Sequence, residues 1–370
     1  MGFPEALLAL AAAAILAALI LLVLGSVYFE ATNSQLPAGL EQPARLRLIH
    51  ACRIGAAVLG RVLENLRLCS QLQFVRFVRN AWTRRRDAAL RIQDAAFQGV
   101  PVRLYLPKAP AAAGPRTGIV YFHGGGWLFG SRGSQEHLCC YLARESGSVV
   151  VSVGYRLAPE HRHPAQLNDC LAASTHFLKV AEDYGVDSSW VILAGNEAGG
   201  NLAARVCQIL ASRPGPTKRS TGDASCLGDI LEGSHVPMKL RAQYRKWLST
   251  DRLQKEFKAR GYEPTPFLSP KEDVCEALRS LTLPECSPLL VEDAVLSRLP
   301  KTFILTCEYD VLRDDGLLYK RRLEDQGVPV TWRHLAKGFH GILDFFESGW
   351  LCFPSGKKGV DDIVSFITGL

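Results

Sequence analysis

Two stretches of this chain pair glycines with residues suited to acyl-transfer chemistry, and the more telling runs from Trp190 to Leu202: Trp-Val-Ile-Leu-Ala-Gly-Asn-Glu-Ala-Gly-Gly-Asn-Leu. Its apolar run, Trp190 to Ala194, predicts a buried parallel strand, and the alanine-rich pattern from about Ala198 predicts a helix. Gly195 and Gly199 flank the junction at the spacing of a nucleophile elbow, a strained turn crowded by strand and helix. The residue at the centre of that turn is Glu197, not serine. A carboxylate has no proton for a base to remove, which closes the serine acyl-enzyme route. Its negative charge also opposes any oxyanion that must develop nearby, and pairing with a histidine is the other use open to it.

The second stretch is His123-Gly124-Gly125-Gly126-Trp127, directly after a predicted strand. Glycines without side chains let successive backbone N–H groups turn towards a developing oxyanion. An acid and a base complete the set. Asp310 stands in Tyr-Asp-Val-Leu-Arg-Asp-Asp-Gly after one predicted strand, and His340 in Gly-Phe-His-Gly after the last. Elbow, then acid, then histidine is the chain order of α/β-hydrolase triads. Asp314 and Asp315 compete for the acid role but suit the cap of a helix starting near Gly316. His334 competes for the base role but falls inside a strand.

The elements that must position these residues alternate. Strands are predicted at Val102–Leu106, Gly118–Phe122, Ser148–Val153, Trp190–Ala194, Phe303–Cys307 and Val330–His334. Helices are predicted at Ser134–Arg144, Ala165–Tyr184, Ala198–Ser212, Leu317–Gln326 and Val360–Ile367. Such alternation predicts an α/β fold, a mostly parallel sheet with helices on both faces. Residues 31–100 read as a helical linker or cap, and 101–370 as the α/β domain. A divergent lid region covers 213–300: polar residues dominate 213–233, and helical spacing returns at Leu240, Tyr244, Trp247 and Leu248.

From Ala6 to Phe29 the chain is uncharged. As a helix this run spans roughly 36 Å, enough for a bilayer core of about 30 Å. Residues 1–30 are therefore read as a single-pass signal anchor, with a cleaved signal peptide as the alternative. Arg45, Arg47 and Arg53 beyond it would place that side in the cytosol by the positive-inside rule. The net charge of +7 is dispersed. Its densest cluster, Arg84-Arg85-Arg86, reads as a solvated helix face or a lipid-headgroup contact, and no nucleic-acid partner is expected. Eleven cysteines without a Cys-x-x-Cys spacing imply mostly buried thiols and one or two disulfides, with no metal and no cofactor.

Taken together, the anchor, His123-Gly-Gly-Gly-Trp, Tyr155-Arg-Leu-Ala-Pro-Glu160, Gly195-x-x-x-Gly199, Asp310-Val-Leu-Arg-Asp-Asp-Gly316 and Gly338-Phe-His-Gly341 resemble the hormone-sensitive-lipase-like α/β hydrolases, specifically their arylacetamide deacetylase-like group. The resemblance implies a membrane-anchored esterase of the endoplasmic reticulum with a lumenal catalytic domain and a lipid or small acyl-ester ligand. It implies oxyanion donors at Gly124, Gly125 and Ala198, with acid and base at Asp310 and His340. Members of that group carry an apolar strand and cap segments after the elbow helix, which residues 213–233 replace with polar sequence. A missing strand would displace Asp310 by several ångströms, strands lying about 4.8 Å apart. Three readings follow: a catalytically impaired member, an active hydrolase with Glu197 as carboxylate nucleophile, and a non-catalytic membrane-tethered interaction protein.

Overall fold

The computed structural model describes residues 3–34, 36–81, 87–110, 114–212, 226–228, 286–347 and 349–370. The chain divides into two compact units at Trp82/Thr83. The first holds helices α1 (Phe3–Asn33), α2 (Pro43–Asn65) and α3 (Gln71–Asn80). Within it Glu30 meets His50 at 3.4 Å, and Gly60 lets α3 approach α2 at Phe74. The uncharged run lies inside α1, although many side chains between residues 6 and 19 are outside the described set. Among the described residues no helix is long and apolar enough to cross a membrane.

The second unit is built on β1 (Leu90–Phe97), β2 (Val100–Pro107), β3 (Arg116–Phe122), β4 (Val149–Val153), β5 (Val186–Gly195), β6 (Cys226–Gly228), β7 (Thr302–Tyr309) and β8 (Val330–Phe339). They form one sheet in the order β1-β2-β4-β3-β5-β6-β7-β8. The neighbours from β4 to β8 run parallel, while β2 is antiparallel to both β1 and β4. Among the described residues it also holds helices α4 (Glu136–Ser146), α5 (Ala165–Val180), α6 (Ala198–Ser212), the one-turn α7 (Asp293–Leu296), α8 (Arg313–Asp325) and α9 (Pro354–Thr368). Val149–Val153 and Val191–Ala194 are buried at every position, and so is Ile119–Phe122. A strand covered on both faces has no solvent side to mark with polar residues, which is why these runs read as unbroken apolar sequence.

Three expectations are corrected. The sheet begins at Leu90, inside the stretch read as helical, so Asp94 lies on β1 and pairs across the hairpin with Arg103 at 2.7 Å. The sheet also has no gap beside the elbow strand. The three residues of β6 pair with β5 on one side and β7 on the other, so the acid is not displaced. Finally, α8 begins at Arg313 with Leu312 at its cap position and no side-chain cap. Asp314 instead bonds Arg313 at 3.1 Å. The predicted helix at Leu240–Leu248 and the Arg84–Arg86 cluster lie outside the described residues. Among the described residues eight cysteines form no disulfide, and Cys207 is disulfide-bonded.

Candidate active site

The site forms where parallel strands end and their loops turn out of the sheet, the place such folds gather reactive side chains. Strand β5 stops at Gly195 and α6 starts at Ala198, so Asn196 and Glu197 make the whole turn. Glu197 has φ +51°, the left-handed region that a residue with a β-carbon enters only under strain. Neighbouring glycines make the turn fit. A β-carbon on Gly199 would lie 2.0 Å from the Phe122 carbonyl oxygen, and one on Gly195 would lie 2.4 Å from the Gly199 carbonyl. No side chain fits at either position without the strand and helix separating.

The glycine loop after β3 faces this turn. Gly125 (φ +118°) and Gly126 (φ +60°) curl it back, and a β-carbon on Gly125 would strike the Phe129 carbonyl at 2.6 Å. His123 is buried beneath, stacked on Tyr155 at 4.2 Å, and its carbonyl accepts from the Tyr155 hydroxyl at 2.6 Å. The motif histidine thus props the loop.

Glu197 reaches both machines that the loop and the triad order imply. Its Oε2 accepts from the Gly125 N–H at 3.1 Å, and its Oε1 stands 3.1 Å from His340 Nε2. His340 Nδ1 in turn lies 3.0 Å from Asp310 Oδ1, which also accepts from the Leu312 N–H at 2.9 Å. Glu197, His340 and Asp310 therefore stand in one hydrogen-bonded series. Exposure falls along the line of support: the side chains are 41% exposed at His340, 18% at Glu197 and 7% at Asp310. The hydrogen bond to Asp310, reinforced by the one to Glu197, pushes His340 up to about 10. At neutral pH it is an imidazolium, and a general base must hold its proton acceptor free.

Each residue read from the sequence can now be placed. Gly124 packs against Glu197, where a β-carbon would sit 3.0 Å from Oε2, and Gly125 is a donor. Ala198 opens α6, buried next to the turn. His334 lies apart on β8, bonded to Thr306 and Glu308 at 3.0 Å each. A buried polar chain went unseen in the sequence. The Tyr121 hydroxyl sits 2.6 Å from Gln135 Oε1 and 2.9 Å from Asn196 Oδ1, and Gln135 Nε2 donates to Asp344 at 2.9 Å. It ties the elbow to the segment after His340. The only sequence signal was a polar Asn196 inside an apolar junction.

Comparison with known proteins agrees with the fold. The α/β-hydrolase-fold family matches residues 119–344. Human arylacetamide deacetylase-like 4 is 39% identical, the alignment covering 93% of this chain and 95% of that one. Mouse neutral cholesterol ester hydrolase 1 is 30% identical over 90% of this chain and 92% of its own. Among solved structures, an esterase from Pyrobaculum calidifontis superposes with a TM-score of 0.60 at 25% identity, covering 84% of this chain and 97% of that one. With the matching family model and these relatives, the chain belongs to the α/β-hydrolase family, in its arylacetamide deacetylase-like group.

Proposed function

We propose that this chain is a catalytically impaired ester hydrolase that keeps an acyl-ester or lipid-ester binding site and is tethered to a membrane by α1. The observation that carries the reading is the double engagement of Glu197. One oxygen takes the Gly125 N–H that a reacting oxyanion would need, and the other reinforces the hold of Asp310 on the His340 imidazolium. The side chain in the nucleophile's place thus removes the oxyanion donor and the base together. Esterase-type relatives support the ligand class.

The decisive experiment compares the unmodified protein with Glu197→Ser on a short-chain nitrophenyl ester. The variant frees Gly125 and gives His340 a hydroxyl to deprotonate, so ester hydrolysis rises from background by about 10²-fold or more. Brisk turnover by the unmodified protein, lost on His340→Ala, overturns the reading.

A second reading, Glu197 as carboxylate nucleophile, draws on one fact: Oε2 is fixed by Gly125 while Oε1 faces the open side chain of His340. It requires a covalent ester on Glu197, seen by mass spectrometry after quenching with an epoxide or ester substrate. The anchor draws on the uncharged run Ala6–Phe29 inside the 31-residue α1. Placement of the catalytic unit in the lumen of the endoplasmic reticulum follows the family resemblance, and the disulfide at Cys207 suits an oxidising compartment. Engineered glycosylation acceptors on either side of α1 test that topology: modification only before α1 refutes it.

A further inference from the structure

The helical unit that precedes the sheet leaves apolar side chains uncovered amid a concentration of positive charge. Residues 43–80, which hold α2 and α3, carry seven arginines, no lysine and one acid, Glu64. The chain's net charge of +7 is therefore gathered mainly here rather than dispersed, and the rest of the sequence is nearly balanced. Val58, Val62 and Leu66 recur every four residues, which lines them along one stripe of α2 and its cap, and all three are exposed. Leu66 and Leu68, 63% and 70% exposed, stand in the turn into α3, and Phe77 on α3 is 70% exposed. Arginines are interleaved with them: Arg61 adjoins Val62, Arg67 lies between Leu66 and Leu68, and Arg76 adjoins Phe77. A helix facing water puts polar residues on its outer side, so this pattern calls for surroundings that accept apolar surface and cations together.

Position within the unit selects among such surroundings. Helix α2 meets α1 where the uncharged run ends: His50 lies 3.4 Å from Glu30, and a β-carbon on Gly55 would lie 3.2 Å from the Ser26 hydroxyl. At that level α1 exposes Tyr28 and Phe29. The hairpin is thus continuous with the segment read as the membrane anchor. A second copy of the same face would bring like charges together, which opposes self-association. An anionic bilayer surface meets both demands, with apolar side chains at the acyl boundary and guanidinium groups among the phosphates.

We propose that α2, α3 and the turn between them dock on an anionic lipid surface, as a second membrane contact beside α1. The inference rests on the reading of α1 as an anchor for its location, but its chemistry is separate. The anchor works by apolar burial alone, whereas the hairpin reads headgroup charge. Long arginine stems let the helices settle into the interface while each guanidinium stays at the headgroup level. Docking of this kind weakens with salt, which screens the attraction between arginine and lipid phosphate.

The test reconstitutes the full chain with vesicles of phosphatidylcholine alone or with about 30% phosphatidylserine, at about 0.1 M and about 0.5 M salt. Flotation with the vesicles reports the anchor, and hydrogen exchange followed by peptide mass spectrometry reports residues 43–80. Flotation is expected in both lipids at either salt. Exchange in 43–80 is expected to slow about ten-fold with phosphatidylserine at the lower salt only, while peptides from the sheet stay unchanged. Leu66→Glu with Leu68→Glu, both in the exposed turn, should abolish that slowing and leave flotation intact. Equal exchange in the two vesicle types, slowing that persists at about 0.5 M salt, or slowing that follows protein concentration instead of lipid each overturns the proposal. Failure to float with neutral vesicles refutes the anchor instead, and salt-sensitive flotation with phosphatidylserine then still supports the docking.

Discussion

The two sides of the site differ in kind. On one side, the loops after β7 and β8 keep an acid and an imidazole 3.0 Å apart, with Asp310 steadied by the Leu312 N–H. On the other, the elbow has a strained backbone and presents an acid: φ is +51° at residue 197, a β-carbon on Gly199 would lie 2.0 Å from the Phe122 carbonyl oxygen, and the displayed side chain is a carboxylate. Backbone presentation and side-chain reactivity are therefore separable properties of this turn. The same carboxylate also reaches the intact side, because its bond to His340 reinforces the upward push that Asp310 already gives the imidazole. A single residue thus touches both halves of the site.

The sharpest way to break this comparison is Glu197→Ser. If presentation survives intact, ester hydrolysis gains about 10²- to 10⁴-fold, roughly 3–5 kcal/mol of transition-state stabilisation, and His340→Ala in that background removes it. Gly199→Ala attacks the presentation itself. The new methyl has no room beside the Phe122 carbonyl, so thermal unfolding should show a loss of about 3 kcal/mol or more, whichever residue stands at 197.

Titration sharpens the electrostatic half. The His340 imidazole, followed by NMR, should titrate with a midpoint near about 10 rather than 6.5. A raised folded value stabilises the fold fully below the unfolded value of 6.5, and that stability is lost progressively as pH rises towards about 10. Glu197→Gln should lower the midpoint while Asp310 still holds it above the ordinary value. An unchanged midpoint would mean Glu197 does not fix the cation. The smallest effect belongs to Tyr121→Phe, which removes one buried hydroxyl from the chain linking Asn196, Gln135 and Asp344. It should cost about 1 kcal/mol in unfolding.

Legibility in the sequence followed local pattern. Strands β3, β4 and β5 were visible because their apolar runs are continuous, and α6 starts and ends where its alanine-rich pattern does. The elbow and glycine loop were visible because glycine spacing is a local signal. Strand β1 was missed. Its cue was the two-residue turn Gln98-Gly99, both at positive φ, which closes a hairpin with β2. Strand β6 was missed because three residues make no apolar run, although three pairs on each side keep the sheet continuous. The buried polar chain was illegible for a different reason. Tyr121 and Asn196 are 75 positions apart and Gln135 and Asp344 are 209 apart, distances across which no periodicity speaks.

The crowded turn at residue 197 behaves as a socket. Its geometry is enforced from outside, by Gly195, Gly199 and the Phe122 carbonyl, so the occupant is shown to Gly125 and His340 without having to shape the loop. Swapping in a thiol, a hydroxyl or a shorter acid would install a different reagent on an unaltered mount. The scaffold is in that sense a ready chassis for new chemistry, addressed through one position.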